Sequence, residues 1–75
     1  MKIDMTYDPE ANAVYVYLGR GEVNATEEVA PGVVVDYGGG GRLIGIEFLD
    51  ARETLAPGDW LVAPGPLERQ ADAAE

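Results

Sequence analysis

The stretch Val33-Val34-Val35-Asp36-Tyr37, followed by Gly38-Gly39-Gly40-Gly41 and then Arg42-Leu43-Ile44-Gly45-Ile46-Glu47-Phe48-Leu49, decides the fold. A β-branched run, a glycine turn and a second apolar run describe two antiparallel strands joined by a hairpin. Centring the turn on Gly39-Gly40 pairs Tyr37 with Arg42, Val35 with Ile44 and Val33 with Ile46. Val33, Val35, Ile44, Ile46 and Phe48 then share an apolar face. Val34, Asp36, Leu43, Gly45 and Glu47 share a mixed one, with Gly45 leaving a notch opposite Val34.

Upstream, Ile3, Met5 and Tyr7 alternate with polar residues, and Val14, Val16 and Leu18 repeat the same period of two. Asp8-Pro9-Glu10-Ala11-Asn12 between them is a turn: Pro9 fixes φ, and Asp8 and Asn12 can bond nearby amides. Pairing Tyr7 with Val14 gathers all six apolar residues on one face, and a one-residue slip would scatter them. Gly19-Arg20-Gly21-Glu22 turns the chain again. Residues 23–29 form a weakly apolar edge strand that ends at Ala30-Pro31-Gly32.

Downstream, Asp50 is placed to cap a helical turn through Glu53, and Pro57-Gly58 stops it. Trp60-Leu61-Val62, between proline-glycine breaks, reads as an extended arm that packs on its own sheet or crosses to a second protomer. Residues 67–73 suit one loose helical turn, with fraying from Ala71. The expected architecture is mainly β, a β-rich α+β chain. It comprises a five-stranded antiparallel meander over residues 1–51, a C-terminal arm over 52–70 and a frayed tail over 71–75.

Composition limits the chemistry. Fourteen acidic residues against five basic ones give a formal charge of −9. That balance opposes nucleic-acid binding, which draws on clustered cations, and opposes adsorption to anionic membranes. Cysteine and histidine are absent, which removes disulfides, Cys/His zinc sites, thiol catalysis and imidazole acid–base chemistry. No apolar run reaches membrane-spanning length, so a cytoplasmic domain without cofactor is expected. So short a chain buries too little surface to be amply stable alone. Without disulfide or zinc, a partner subunit is the remaining support, and a homodimer is the simplest form.

The ordered blocks Thr6-Tyr7-Asp8-Pro9-Glu10-Ala11-Asn12-Ala13-Val14-Tyr15-Val16, Glu28-Val29-Ala30-Pro31-Gly32-Val33-Val34-Val35-Asp36-Tyr37 and Leu43-Ile44-Gly45-Ile46-Glu47-Phe48-Leu49-Asp50-Ala51 resemble a family of small prokaryotic proteins, Domain of Unknown Function 2283. The resemblance covers about residues 1–51. It departs in the all-glycine turn and in the tail that carries Trp60. It implies a small β-rich domain and supplies no catalytic residues.

Two function classes follow. The first is a protein-binding or structural module, a homo-oligomer presenting Tyr15, Tyr17 and Trp60 to a partner. Its acidic surface would steer a basic protein, as an antitoxin meets a toxin. The second is a small metal-assisted enzyme using Asp36, Glu47 and Asp50 at an oligomer interface. No calcium-loop spacing supports that set, and carboxylate-pair hydrolysis of sugars needs a cleft that raises one pKa. The glycine run is not a phosphate loop, because it joins two strands and leads into no helix.

Overall fold

The computed structural model describes residues 3–73. Five strands form one antiparallel sheet: β1 (Asp4–Asp8), β2 (Ala13–Tyr17), β3 (Ala25–Ala30), β4 (Val33–Tyr37) and β5 (Leu43–Leu49). The β1–β2 hairpin has the expected register, Tyr7 opposite Val14. Asp8 closes its turn by accepting from the amides of Glu10 and Ala11 at 3.1 and 3.2 Å.

The strand order is β1-β2-β5-β4-β3, so the sheet is not the simple meander expected. Residues 18–24 carry the chain past the start of β5 before β3 begins. The amides of Leu18 and Gly19 both donate to the Ile44 carbonyl, and that of Asn24 to Tyr37. Inserting β5 beside β2 sets Val14 opposite Phe48 and Val16 opposite Ile46, which joins the two apolar runs into one face. A meander would have set the weakly apolar β3 there instead.

The β4–β5 register also differs from expectation. Val35 faces Ile46 and Val33 faces Phe48, with an irregularity between Asp36 and Tyr37. The glycines form a 3-10 turn at Gly39–Gly41, with Gly40 at φ 73°, and the Gly38 amide donates to Arg42. That wider loop displaces the pairing by two residues. A shift of two preserves each side chain's face, so Val33, Val35, Ile46 and Phe48 still point inward. The Gly45 notch therefore lies opposite Asp36 and Tyr17, not Val34.

Helix α1 (Ala51–Thr54) follows β5 directly. Asp50 occupies its N-cap position, but its left-handed backbone (φ 51°, ψ 51°) leaves the side chain without a capping bond. A capping side chain normally springs from extended backbone. Asn12, itself at φ 56°, caps the helix from the neighbouring hairpin turn. Its carbonyl accepts from Ala51 at 2.9 Å, its Oδ1 from the Arg52 amide at 2.9 Å, and its Nδ2 donates to Glu53 at 2.8 Å.

The segment expected to be an extended arm is instead compact. Residues Asp59–Val62 make a 3-10 turn, and Trp60 donates from its indole to the Ala56 carbonyl at 2.7 Å. Trp60 then packs edge-on against Tyr7 of its own chain, with ring centroids 5.0 Å apart. From there the chain rounds the β1 edge, where the Tyr7 amide donates to the Pro64 carbonyl at 2.9 Å. Helix α2 (Pro66–Ala73) follows, two turns long instead of one loose turn. Pro66 stands at its first position and Glu68 accepts from the Gly65 amide at 3.1 Å, both helix-starting devices. Residues 74–75 of the expected tail lie outside the described residues.

The core sits where these pieces meet the sheet. Tyr7, Val14 and Ala51 are buried, with Val16, Phe48, Leu55, Trp60 and Ala63 packed against them. Among the described residues, no helix is long and apolar enough to cross a membrane.

Candidate functional site

Strand alternation puts Thr6 of β1 and Tyr15 and Tyr17 of β2 on the face away from that core, with Glu47 of β5 and Asp36 of β4 beside them. With Asp8, Ala11, Ala13, Val14 and Pro66 they line a recess of about 320 Å³. Gly45 makes this arrangement possible. A side chain there would collide with the Tyr15 ring and approach the Val16 carbonyl to 2.8 Å, so the notch is filled by Tyr15 lying across it.

The Tyr15 hydroxyl donates to Asp36 Oδ2 at 2.7 Å, and Thr26 donates to Asp36 Oδ1 at 2.8 Å. One carboxylate thus ties β2 to β3 across the two strands between them. Burial pushes the Tyr15 hydroxyl up to about 12, aided by the hydrogen bond to Asp36 and by its charge. A phenol that donates to a carboxylate in a desolvated notch holds its proton. Tyr15 is therefore a neutral donor at physiological pH and no base.

Tyr17 meets Tyr15 edge-on at 4.6 Å, and its other side carries a cation. The Arg69 guanidinium lies 3.5 Å from the Tyr17 ring centroid. Arg69 also grips Asp4 through two nitrogens, with contacts of 3.1, 3.0 and 2.7 Å. The Asp4 carboxylate raises the Arg69 pKa further. Helix α2 is thereby clamped over the outer end of the tyrosine pair.

Tyr15 and Tyr17 thus adjoin each other, whereas Trp60 lies on the opposite face against Tyr7. The carboxylates considered for a metal are not gathered either. Asp36 spends both oxygens on Tyr15 and Thr26, and Asp50 sits at the far end of β5. Among the described residues, no group of three His, Cys, Asp or Glu side chains could hold a metal ion. What the site offers is aromatic surface, carboxylates and a fixed geometry.

Arg69 and Thr26 escaped the sequence reading. Their partners are 65 and 10 residues away, and neither spacing has a local signature. Asn12 carried a signal, since asparagine tolerates the left-handed backbone that ends such a turn. Its helix partner, 40 residues on, did not.

These features define a small open-sheet protein, held by polar clamps on one face and a small core on the other. The family of proteins of unknown function DUF2283 matches residues 4–52, well over half of the chain, and the chain belongs to that family. The matched region takes in all five strands and the start of α1, while the Trp60 turn and α2 follow it. No curated protein and no solved structure matches the chain.

Proposed function

We propose that this protein is a non-catalytic protein-interaction module that acts as a homo-oligomer through the apolar face of its sheet. The observation that carries this reading is how little of that face its own chain covers. Among the described residues, Tyr7, Val14, Val35 and Ala51 are the buried apolar residues, while Met5, Val16, Val33, Ile46 and Phe48 along that face are only half-buried. The principal helical packing falls on β1 and β5, not on β3 or β4. A contiguous apolar sheet face left half-covered in this way suits an interaction surface.

The outer face has the opposite character. Asp4, Asp8, Glu28, Asp36 and Glu47 share it, so a partner approaching from that side is selected for positive charge. The antitoxin-like reading belongs to this face, and a metal-assisted enzyme has no observation in its favour.

The test is site-specific photo-cross-linking in the producing cell. A photoreactive residue replacing Ile46, on the inner face, should form protein adducts, while one replacing Thr26, on the outer face, should not form the same adducts. Absence of any Ile46 adduct would overturn the reading.

A further inference from the structure

The recess on the outer face owes its shape to one glycine. In the row of residues that crosses that face, Thr6 pairs with Tyr15 and Tyr15 with Glu47. A tyrosine standing upright on the sheet would fill the middle of the row. Tyr15 leans instead across Gly45, where a side chain would collide with it, and bonds to Asp36. The next row of the same face sets Asp8 against Ala13, whose methyl group is too short to close the space the ring has left. The recess of about 320 Å³ opens there, lined by Thr6, Asp8, Ala13, Glu47 and Pro66 among others.

Two independent features of the lining point to a cation. Thr6 is 2 % exposed, and among the described residues its hydroxyl has no hydrogen-bond partner. Among those residues no buried side-chain oxygen is sealed off without a partner, so the trace of surface that Thr6 keeps includes its hydroxyl, which opens into the recess. A buried hydroxyl without a partner costs stability, and a donor entering the recess removes that cost.

The second feature is charge. Asp8, Asp36 and Glu47 line the recess, with no basic side chain among the described lining residues. The charges of Asp36 and Glu47 both help to hold the proton on Tyr15, so their field reaches the recess wall. Tyr17, which borders the recess, already seats the Arg69 guanidinium 3.5 Å from its ring centroid.

The acceptors select the kind of cation. Among the described residues no three His, Cys, Asp or Glu side chains could hold a metal ion. A guanidinium is planar and takes both oxygens of one carboxylate, as Arg69 does with Asp4. In the recess both Asp36 oxygens are engaged by Tyr15 and Thr26, and one Asp8 oxygen accepts from two turn amides. The Thr6 hydroxyl and the Glu47 carboxylate come from different strands, β1 and β5. The three diverging donors of an ammonium suit such a pair, and a methylene stem can lie along Ala11, Ala13 and Pro66.

We propose that this recess binds a primary alkylammonium group, with Glu47 and the Thr6 hydroxyl on its charge and Ala13 and Pro66 along its stem. The proposal rests on the reading of the outer face as selective for positive charge, and it is independent of the apolar face. Such a group belongs to a lysine side chain or to a free diamine.

The test is an NMR titration of the isotopically labelled full chain with n-butylammonium, with n-butanol as the uncharged control. Saturable shifts in the millimolar range are expected at the amides of Thr6, Ala13 and Glu47, weakened by salt and absent with n-butanol. Glu47→Gln should weaken binding at least about 10-fold, since a charge-assisted hydrogen bond is lost. Thr6→Val should weaken it about 10-fold while leaving Tm unchanged or higher, because the hydroxyl it removes has no partner in the chain to lose. Ala13→Leu fills the recess and should abolish binding. Separate titrations with putrescine and with N-acetyl-lysine methylamide assign the source, the tighter of the two being the natural kind.

The proposal is overturned by an equal response to n-butanol, by a Glu47→Gln variant that binds as the parent does, or by n-butylguanidinium binding more tightly than n-butylammonium. A lower Tm for Thr6→Val, or undiminished binding by it, overturns the part given to Thr6. The charge-selective reading fails separately, if poly-lysine moves no outer-face amide. Should Ala13→Leu not fold, Glu47→Gln still decides the matter.

Discussion

Replacing Asn12 by alanine should destabilise the protein more than its half-buried position on a turn suggests. The side chain accepts from the Arg52 amide and donates to Glu53, and the residue holds a left-handed backbone at φ 56°. Losing an N-cap acceptor costs about 1 kcal/mol. Holding alanine in the left-handed region costs roughly another 1 kcal/mol. Together they come to about 2 kcal/mol, and a domain of this size loses about 4–8 °C in Tm per kcal/mol. The expected fall in Tm is therefore about 8–16 °C. Asn12→Gly relieves the left-handed backbone but lacks the acceptor for the Arg52 amide, so it should lose less than the alanine variant. The assay is thermal denaturation followed by circular dichroism and by the fluorescence of Trp60, the single tryptophan. All variants need one protein concentration, since association couples to stability. An alanine variant melting within about 2 °C of the parent, or a glycine variant as stable as the parent, would refute capping across the turn.

Other expectations concern the outer face. Gly45→Ala drives a methyl group into the Tyr15 ring, and overpacking of that kind costs about 1–3 kcal/mol; urea denaturation reads the loss. Tyr15 ionises at about 12 in the folded chain against 10.0 when unperturbed. Its contribution to stability is therefore complete below pH 10 and is lost as pH rises through about 12. Difference spectroscopy of the phenolate band should show Tyr15 titrating after the unfolded-chain value, and Tyr15→Phe should remove that late step. Arg69→Ala removes both the Asp4 contact and the cation over Tyr17. It should speed amide exchange in α2 while leaving exchange in β2 and β5 unchanged.

Much of the fold was legible because it depends on alternation. The period of two in Met5, Tyr7, Val14 and Val16 fixed the first hairpin and its register. The same period kept Val33, Val35 and Ile46 on the inner face although the pairing moved by two residues. The order of strands was not legible, since the short link of residues 18–24 suits a hairpin as well as the crossing it makes. Helix α2 was readable from Gly65-Pro66 and Glu68, but the proline-glycine pattern around it suggested a break. The site was half legible. Adjacent tyrosines on an outer face follow from spacing, whereas the bond of Tyr15 to Asp36 depends on β5 lying between their strands. Trp60 was an evident anchor; its seat on Tyr7 instead of beside the tyrosine pair follows from the path of the chain around β1.

Whether the apolar side of this sheet is an interface is read by sedimentation equilibrium of the unmodified chain. A mass of about 16 kDa, twice the 8.0 kDa of one chain, is expected in the upper micromolar range, with dissociation on dilution and tighter association in salt. A mass of 8.0 kDa at every concentration and salt level would contradict it.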